Sequence, residues 1–198
     1  LSFREALKAF NKYAIEEFIK YHNQNGGISR YIKIKYFLEK ILPKYDSNIH
    51  TYKDQYTKII QMYSQYCKNY LYESEITEGL KTLRKKTKDI KWFIVSGGDQ
   101  EELREVFKYK NIDKLFNGGI YGSPDSKDQI IKREINNQNI KYPALLMGDS
   151  KLDHIAALSN NIDFIFVTKW TEFKKYKDYC AINNLKTVSK VFEICKFL

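Results

Sequence analysis

The first third of the chain shows the apolar spacing that is typical of amphipathic helices. Apolar residues recur mostly at three- and four-residue steps within positions 6–19, 32–41 and 56–63. Breaks fall at Gly26-Gly27 and over positions 43–48. The pattern predicts a small helical bundle, and we assign residues 1–73 to it as one helical domain.

After residue 73 the pattern changes to short apolar runs that alternate with helical stretches. The runs occupy positions 90–95, 144–147 and 162–167, and each ends in polar or glycine-rich sequence. Continuous apolar strands that alternate with helices are typical of a parallel sheet covered on both faces. We therefore predict an α/β domain over residues 74–198, a parallel sheet flanked by helices, with its ligand site at the carboxyl ends of the strands.

Composition and charge narrow the function classes. The 198 residues are 43% hydrophobic and 29% charged, which excludes disordered and collagen-like chains. The net charge of +10 would suit a nucleic-acid partner, but the lysines are spread along the chain and the one compact basic run is Arg84-Lys85-Lys86. The positive charge thus favours nucleic-acid binding, but the sequence contains no recognised nucleic-acid-binding module. A small phosphorylated substrate would also gain from a positive field.

Cysteine usage and hydropathy bear on the compartment. Cys67, Cys180 and Cys195 are scattered and form no CxxC pair, so we expect neither a disulfide framework nor a cysteine metal site. This usage favours a reducing compartment, and we expect a cytoplasmic protein. No apolar run approaches the roughly 18 residues of a membrane span, so no membrane partner is expected.

Three polar segments follow the predicted strands or begin the helices after them. Ser96-Gly97-Gly98 stands at a strand-to-helix turn, where a hydroxyl and backbone amides can donate to phosphate oxygens. Lys127 can supply a positive charge for an oxyanion. Asp149 and Asp153 flank the start of a helix and can serve Mg²⁺, which prefers oxygen ligands. The three segments together suit a phosphoryl group.

In this order, the three segments resemble motifs of the haloacid dehalogenase superfamily, whose core is Rossmann-like. The chain is most similar to phosphoglycolate-phosphatase-like members with a helical cap, over essentially its whole length. The resemblance implies that Ser96 binds the transferring phosphoryl group, with Gly97-Gly98 beside it. It also implies that Lys127 steadies the nucleophile and the phosphate charge. Asp149 would ligate Mg²⁺, and Asp153 would complete the acidic metal motif.

Each segment taken alone has an ordinary structural interpretation. Ser96 could cap a helix, and Lys127 could be a solvated helix residue. Asp149 or Asp153 could be no more than a first-turn charge. These interpretations would have to coincide three times, so the joint pattern favours the phosphate site.

A second candidate lies in the helical domain. Arg30 follows the Gly26-Gly27 pair near the start of a predicted helix. By the resemblance, this part of the cap leans over the active site, so Arg30 could bind a carboxylate or a second phosphate of the substrate. The alternative is that the glycine pair merely joins two helices and Arg30 is a surface charge. We assign no catalytic role to His22 or His154.

The first motif of the family, a strand ending in DxDx[TV], is missing from the sequence. Its first Asp attacks phosphorus, and the earliest Asp here is Asp46, within the predicted cap. We therefore expect the nucleophile, and the first strand of the core, upstream of Leu1. In the family this strand lies in the middle of the sheet, so its loss would leave two buried strand edges without partners.

The resemblance implies a Mg²⁺-dependent phosphohydrolase that acts on a small phosphorylated metabolite through an aspartyl-phosphate intermediate. The alternative is a catalytically inactive relative that binds phosphate or regulates. Dehalogenase and phosphotransferase chemistry use the same scaffold and stay open.

Overall fold

The computed structural model of the protein describes residues 2–46 and 52–197. The chain divides into two compact units, Leu1–Ser74 and Glu75–Leu198. Within the described ranges, no helix combines the length and apolar character needed to cross a membrane.

The first unit is helical. Its α-helices are α1 (Ser2–Leu7), α2 (Lys12–Gln24), α3 (Arg30–Tyr36) and α4 (Tyr52–Glu73), and the short π and 3₁₀ turns Phe37–Ile41 and Leu42–Lys44 follow α3. Helix α4 packs against α1 and α3. Phe18 stands at the centre of the core, with its ring 5.0 Å from that of Phe3 and 5.2 Å from that of Phe37. The apolar spacing thus becomes the buried face of each helix.

His22 gives this unit a pH-dependent stability. Its Nδ1 lies 2.9 Å from Nζ of the buried Lys33. Burial first, and then the Lys33 charge, lowers the pKa of His22 to about 4. Because the unfolded chain binds this proton more readily, stability is complete above pH 6.5 and falls as the pH drops towards 4. After allowance for partial exposure, we expect a loss of about 1–2 kcal/mol.

Urea unfolding of the wild type and His22→Gln at pH 7.5, 6, 5 and 4.5 checks this prediction. Glutamine keeps an acceptor for Lys33 but does not titrate, so the variant should lose that part of the slope. His154, whose pKa is also lowered by burial, stays in both proteins and serves as the internal reference. Equal slopes for the two proteins would contradict the prediction.

The second unit alternates strands and helices, as the sequence predicts. Its elements in chain order are α5 (Leu80–Lys86), β1 (Phe93–Asp99), α6 (Gln100–Tyr109), β2 (Gly119–Ser123), α7 (Lys127–Asn136), β3 (Leu145–Gly148), α8 (Lys151–Ser159), β4 (Asp163–Val167), α9 (Tyr176–Ile182), β5 (Lys186–Val188) and a closing 3₁₀ helix (Val191–Lys196). All strand pairs of the described chain are parallel. The predicted α/β class, with parallel strands flanked by helices, is confirmed.

The strands differ from the predicted runs in two respects. The first run begins too early, because the Ile90 amide closes a turn on the Thr87 carbonyl at 3.0 Å, and the strand starts at Phe93. Strands β2 and β5 were not predicted: β2 contains two glycines among five residues, and β5 has three residues. Neither offers the apolar run by which a buried strand is recognised.

The strands form two sheets rather than the single sheet that the sequence predicts. One has the order β1-β2 and the other the order β3-β4-β5. Helix α7 packs against both β1 and β2, α8 packs against β3 and β4, and α7 packs against α8. The connection from β2 to β3 runs through α7 and therefore passes over β1. The break in strand order falls between β1 and β3.

The edges of β1 and β3 at this break are unpaired among the described strands. One apolar cluster nevertheless spans both sheets through α7 and α8, and it includes Val95 of β1, Leu146 of β3 and Phe164 of β4. Every residue of β1 is partly exposed, and Leu145 is 45% exposed. Strands of a parallel sheet covered by helices are normally buried, so β1 and β3 are more exposed than is usual for this architecture.

Candidate active site

A bulge ends β1. The pairing with β2 is regular up to Val95↔Tyr121 and resumes at Asp99↔Ser123. Three residues, Ser96, Gly97 and Gly98, therefore stand opposite the single residue Gly122, and we call them the β1 bulge. Ser96 Oγ accepts a hydrogen bond of 3.0 Å from the Gly98 amide. The hydroxyl proton of Ser96 remains available for another acceptor.

Helix α6 begins directly after the β1 bulge. The Asp99 side chain caps it by accepting a 3.0 Å hydrogen bond from the Glu102 amide. The bulge thus precedes the positive end of a helix dipole, where an anion is stabilised. The predicted turn at Ser96 lies three residues too early, because β1 continues to Asp99 and Asp99, not Ser96, caps the helix.

Lys127 and Asp153 form an ion pair between the first turns of α7 and α8. Their side chains are 16% and 4% exposed, so the pair is shielded from water. The second carboxylate oxygen of Asp153 accepts hydrogen bonds from the Ser150 amide at 3.1 Å and the Ser150 hydroxyl at 2.7 Å. These bonds are part of a capping box at the start of α8. Both carboxylate oxygens of Asp153 therefore have partners: one is paired with Lys127, and the other accepts from Ser150 at the N-terminus of α8.

Asp149 follows β3 and immediately precedes the cap of α8. Burial raises the pKa of its carboxyl, the negative charge of Asp153 raises it further, and Lys127 opposes both. Gly148 makes room for this arrangement, because a Cβ there would lie 2.4 Å from the Asp153 Cβ. The structure thus brings Lys127, Asp149 and Asp153 together, while Ser96 lies at the end of β1 in the other sheet.

Asp149 and Asp153 are the carboxylates at this site that could serve as ligands for Mg²⁺. No group of three or more His, Cys, Asp or Glu side chains within residues 2–46 and 52–197 is arranged to hold a metal ion. Asp149 is a solvent-accessible carboxylate whose charge a cation would offset, whereas Asp153 is already paired with Lys127. Mg²⁺ commonly uses one or two carboxylates and completes its shell with water and substrate phosphate. The residues therefore fit a Mg²⁺ ion held by Asp149, not an all-protein cage.

Arg30 lies in the helical unit at the first turn of α3. It is 5% exposed, so the interpretation as a surface charge is wrong. Its Nη1 donates to Ser64 Oγ at 3.0 Å, and its guanidinium lies 4.7 Å from the centre of the Tyr63 ring. The Gly26-Gly27 pair does join α2 to α3, and Gly27 has a φ of +87°. Arg30 is thus held by residues of its own unit.

The two histidines without an assigned role are both packed. His154 Nδ1 lies 2.8 Å from the Tyr179 hydroxyl, and its ring also packs against Phe164. His22 is the partner of Lys33 described above. Neither histidine belongs to the group formed by Lys127, Asp149 and Asp153.

Two hydroxyls that the sequence analysis missed hold the backbone of the site. Ser123 Oγ donates to the Gly97 carbonyl at 2.8 Å, and Thr171 Oγ1 donates to the Asp149 carbonyl at 2.6 Å. Ser123 directly precedes Pro124 at the end of a strand, and Thr171 lies in the segment after β4. Ser123 lies in the segment that leads to Lys127, but the sequence assigns a role to neither hydroxyl, because each donates to a carbonyl more than 20 positions away.

A family model of haloacid dehalogenase-like hydrolases matches residues 1–167. This match covers most of the chain and includes Ser96, Lys127, Asp149 and Asp153. The chain belongs to the haloacid dehalogenase-like hydrolases. The family resemblance carried by the three motifs is therefore confirmed. No curated protein matches this hydrolase significantly.

Solved structures share the fold of this haloacid dehalogenase-like hydrolase. A haloacid dehalogenase-like family hydrolase from Streptococcus pneumoniae is 20% identical, with a TM-score of 0.63 over 99% of this chain and 88% of that one. A protein from Clostridium acetobutylicum described as a predicted phosphatase is 22% identical, with a TM-score of 0.63 over 94% and 88%. A protein from Clostridium difficile is 19% identical, with a TM-score of 0.62 over 100% and 88%.

Proposed function

We propose that this haloacid dehalogenase-like hydrolase is a Mg²⁺-dependent phosphohydrolase of a small phosphorylated metabolite. The observation that carries the proposal is the meeting of Lys127, Asp149 and Asp153 where α7 and α8 begin. A shielded ammonium beside two carboxylates suits a transferring phosphoryl group with a divalent cation. None of the three cysteines forms a disulfide within residues 2–46 and 52–197, which agrees with the reducing cytoplasm that we propose as the compartment.

The residues of the chain divide the work of binding the phosphoryl group. The Ser96 hydroxyl, oriented by the Gly98 amide, donates to one phosphate oxygen, and the Gly97 amide is the second donor that we propose. Lys127 neutralises charge that develops on the phosphoryl oxygens, and Asp153 fixes its position. Asp149 would hold Mg²⁺, which when bound offsets the repulsion between an anionic nucleophile and the phosphate.

We propose that the nucleophile is an aspartate on a strand that fills the break between β1 and β3. The unpaired edges of both strands and the exposure of Leu145 support such a strand. A parallel strand there would end between the β1 bulge and Asp149. Its carboxylate would attack phosphorus, and the P–O bond to the leaving group would break. Water would then cleave the aspartyl phosphate to phosphate and free carboxylate.

The helical unit has a proposed role in substrate choice. By the family resemblance it is a cap, and we propose that Arg30 binds a second anionic group of the substrate. The Ser64 hydroxyl and the Tyr63 ring hold the guanidinium in one orientation. Because Arg30 is 5% exposed and its Nη1 is bonded to Ser64, its proposed contact with the substrate is supported by the family resemblance and not by its surroundings.

The sequence that precedes Leu1 in the gene, followed by an assay of the protein it encodes, tests the proposed function. We expect an in-frame strand ending in DxDx[TV] and Mg²⁺-dependent release of phosphate from p-nitrophenyl phosphate. Replacing the first Asp of that motif by Asn should abolish turnover while phosphate still binds. Phosphate binding without turnover in the longer protein would identify an inactive relative and contradict the proposal.

A further inference from the structure

We propose that Ser123 is a positioning residue that holds the β1 bulge in the shape that receives phosphate. The inference rests on the proposed function, because the bulge matters only where Ser96 contacts a phosphoryl group. The decisive juxtaposition is the hydrogen bond of 2.8 Å from Ser123 Oγ to the Gly97 carbonyl. Ser123 touches neither substrate nor metal in this proposal and acts through the backbone of β1.

The bulge creates the need for such a bond. Where three residues stand opposite one, the regular ladder between β1 and β2 is interrupted. A bulged residue loses its ladder partner, so its backbone groups require another one. The Ser123 hydroxyl donates to Gly97 in place of a backbone amide. The Ser123 side chain is 1% exposed, so water cannot readily substitute for it.

Gly122 holds the other side of the bulge by close contact. A Cβ on Gly122 would lie 2.3 Å from the Gly98 carbonyl oxygen and 3.1 Å from the Gln100 amide nitrogen. Both are backbone atoms, so neither could move aside as a flexible side chain does. The end of β2 therefore contacts the bulge at Gly98 through Gly122 and at Gly97 through Ser123.

The direction of the Ser96 side chain depends on this register. Successive side chains of a strand point to opposite faces, and a slip of one residue sends a side chain to the other face. Release of the Gly97 carbonyl allows the bulge to shift along β1, which would turn the Ser96 hydroxyl away from the phosphate. Ser123 thus acts on phosphate affinity as well as on stability.

The test compares Ser123→Ala with Thr87→Val in the protein that carries the upstream segment. Thr87 is a matched control, because its buried hydroxyl also donates to a backbone carbonyl, that of Leu83 at 2.9 Å, within α5 and its C-cap. We expect both variants to lose similar stability in urea unfolding. Only Ser123→Ala should weaken binding of inorganic phosphate, by about tenfold in calorimetric titration.

Hydrogen exchange of the Gly97 and Gly98 amides provides a second readout that needs no ligand. Ser123→Ala should speed this exchange at least tenfold relative to Thr87→Val. Unchanged exchange, or unchanged phosphate affinity beside a wild type that binds phosphate, would overturn the role of Ser123. A wild type that binds no phosphate would instead refute the proposed function, and the exchange rates would still decide whether Ser123 holds the bulge.

Discussion

Replacing Lys127 with methionine should lower the free energy of unfolding by about 3 kcal/mol, because it leaves a buried carboxylate without its cation. Asp153 is 4% exposed, and its other oxygen stays bonded to Ser150. Methionine retains most of the length of lysine, so lost packing adds little. The measurement is urea unfolding at pH 7, followed by one tryptophan-sensitive and one circular-dichroism signal.

The same helix supplies the control. Lys132 forms an exposed ion pair with Asp128 at 2.9 Å, with side chains 57% and 39% exposed. Exposed pairs of this spacing contribute little, so Lys132→Met should cost less than about 0.5 kcal/mol. Adding Asp153→Asn to Lys127→Met should recover part of the loss, since it removes the uncompensated charge. Equal losses for Lys127→Met and Lys132→Met would refute the buried pair.

The sequence predicts the strands that are continuous apolar runs and misses the strands that contain glycines or have only three residues. β3 and β4 were predicted to within one residue at each end, because each is a continuous apolar run. β2 escaped prediction because Gly122, which lets the bulge approach, also breaks its apolar pattern. A glycine required by tertiary contact looks like a turn residue in the sequence alone.

The strands form two sheets because of which strand edges pair with each other. The amino-acid sequence of each strand does not show which edges pair. Apolar runs show that β1 and β3 are strands, but which edges meet depends on the crossovers. The sequence predicts a further strand in the middle of the sheet, and the unpaired edges of β1 and β3 are the place where we propose it.

The sequence predicts the candidate site residues that lie at motif positions next to strand ends. It does not predict contacts between residues that are far apart in the sequence. Lys127, Asp149 and Asp153 were found because motif spacing places them at helix starts. The capping box that includes Asp153 could have been predicted from the sequence, because Ser150 stands three positions before it. The burial of Arg30 could not be predicted from the sequence, because its partner Ser64 is 34 positions away.

Under the proposed function, Asp149→Asn should reduce Mg²⁺-dependent phosphate release by the full-length gene product at least about a thousandfold, while raising the stability of the metal-free fold. Removal of a cation's carboxylate ligand removes several kcal/mol of charge stabilisation during transfer. Burial raises the pKa of Asp149, so its ionised form destabilises the folded state at every pH above that raised value. Asparagine has nearly the same shape without the charge.

Stability and activity therefore move in opposite directions in one variant. We expect Asp149→Asn to unfold at a higher urea concentration than the wild type at pH 7 without Mg²⁺, and to lose the stabilisation that Mg²⁺ gives the wild type. Asp163→Asn is the matched control, because Asp163 is an exposed carboxylate at the amino end of β4 and should change neither quantity. A metal-free Asp149→Asn that is less stable than the wild type would show that this carboxylate serves the fold, and the assignment of Asp149 to the cation would fail.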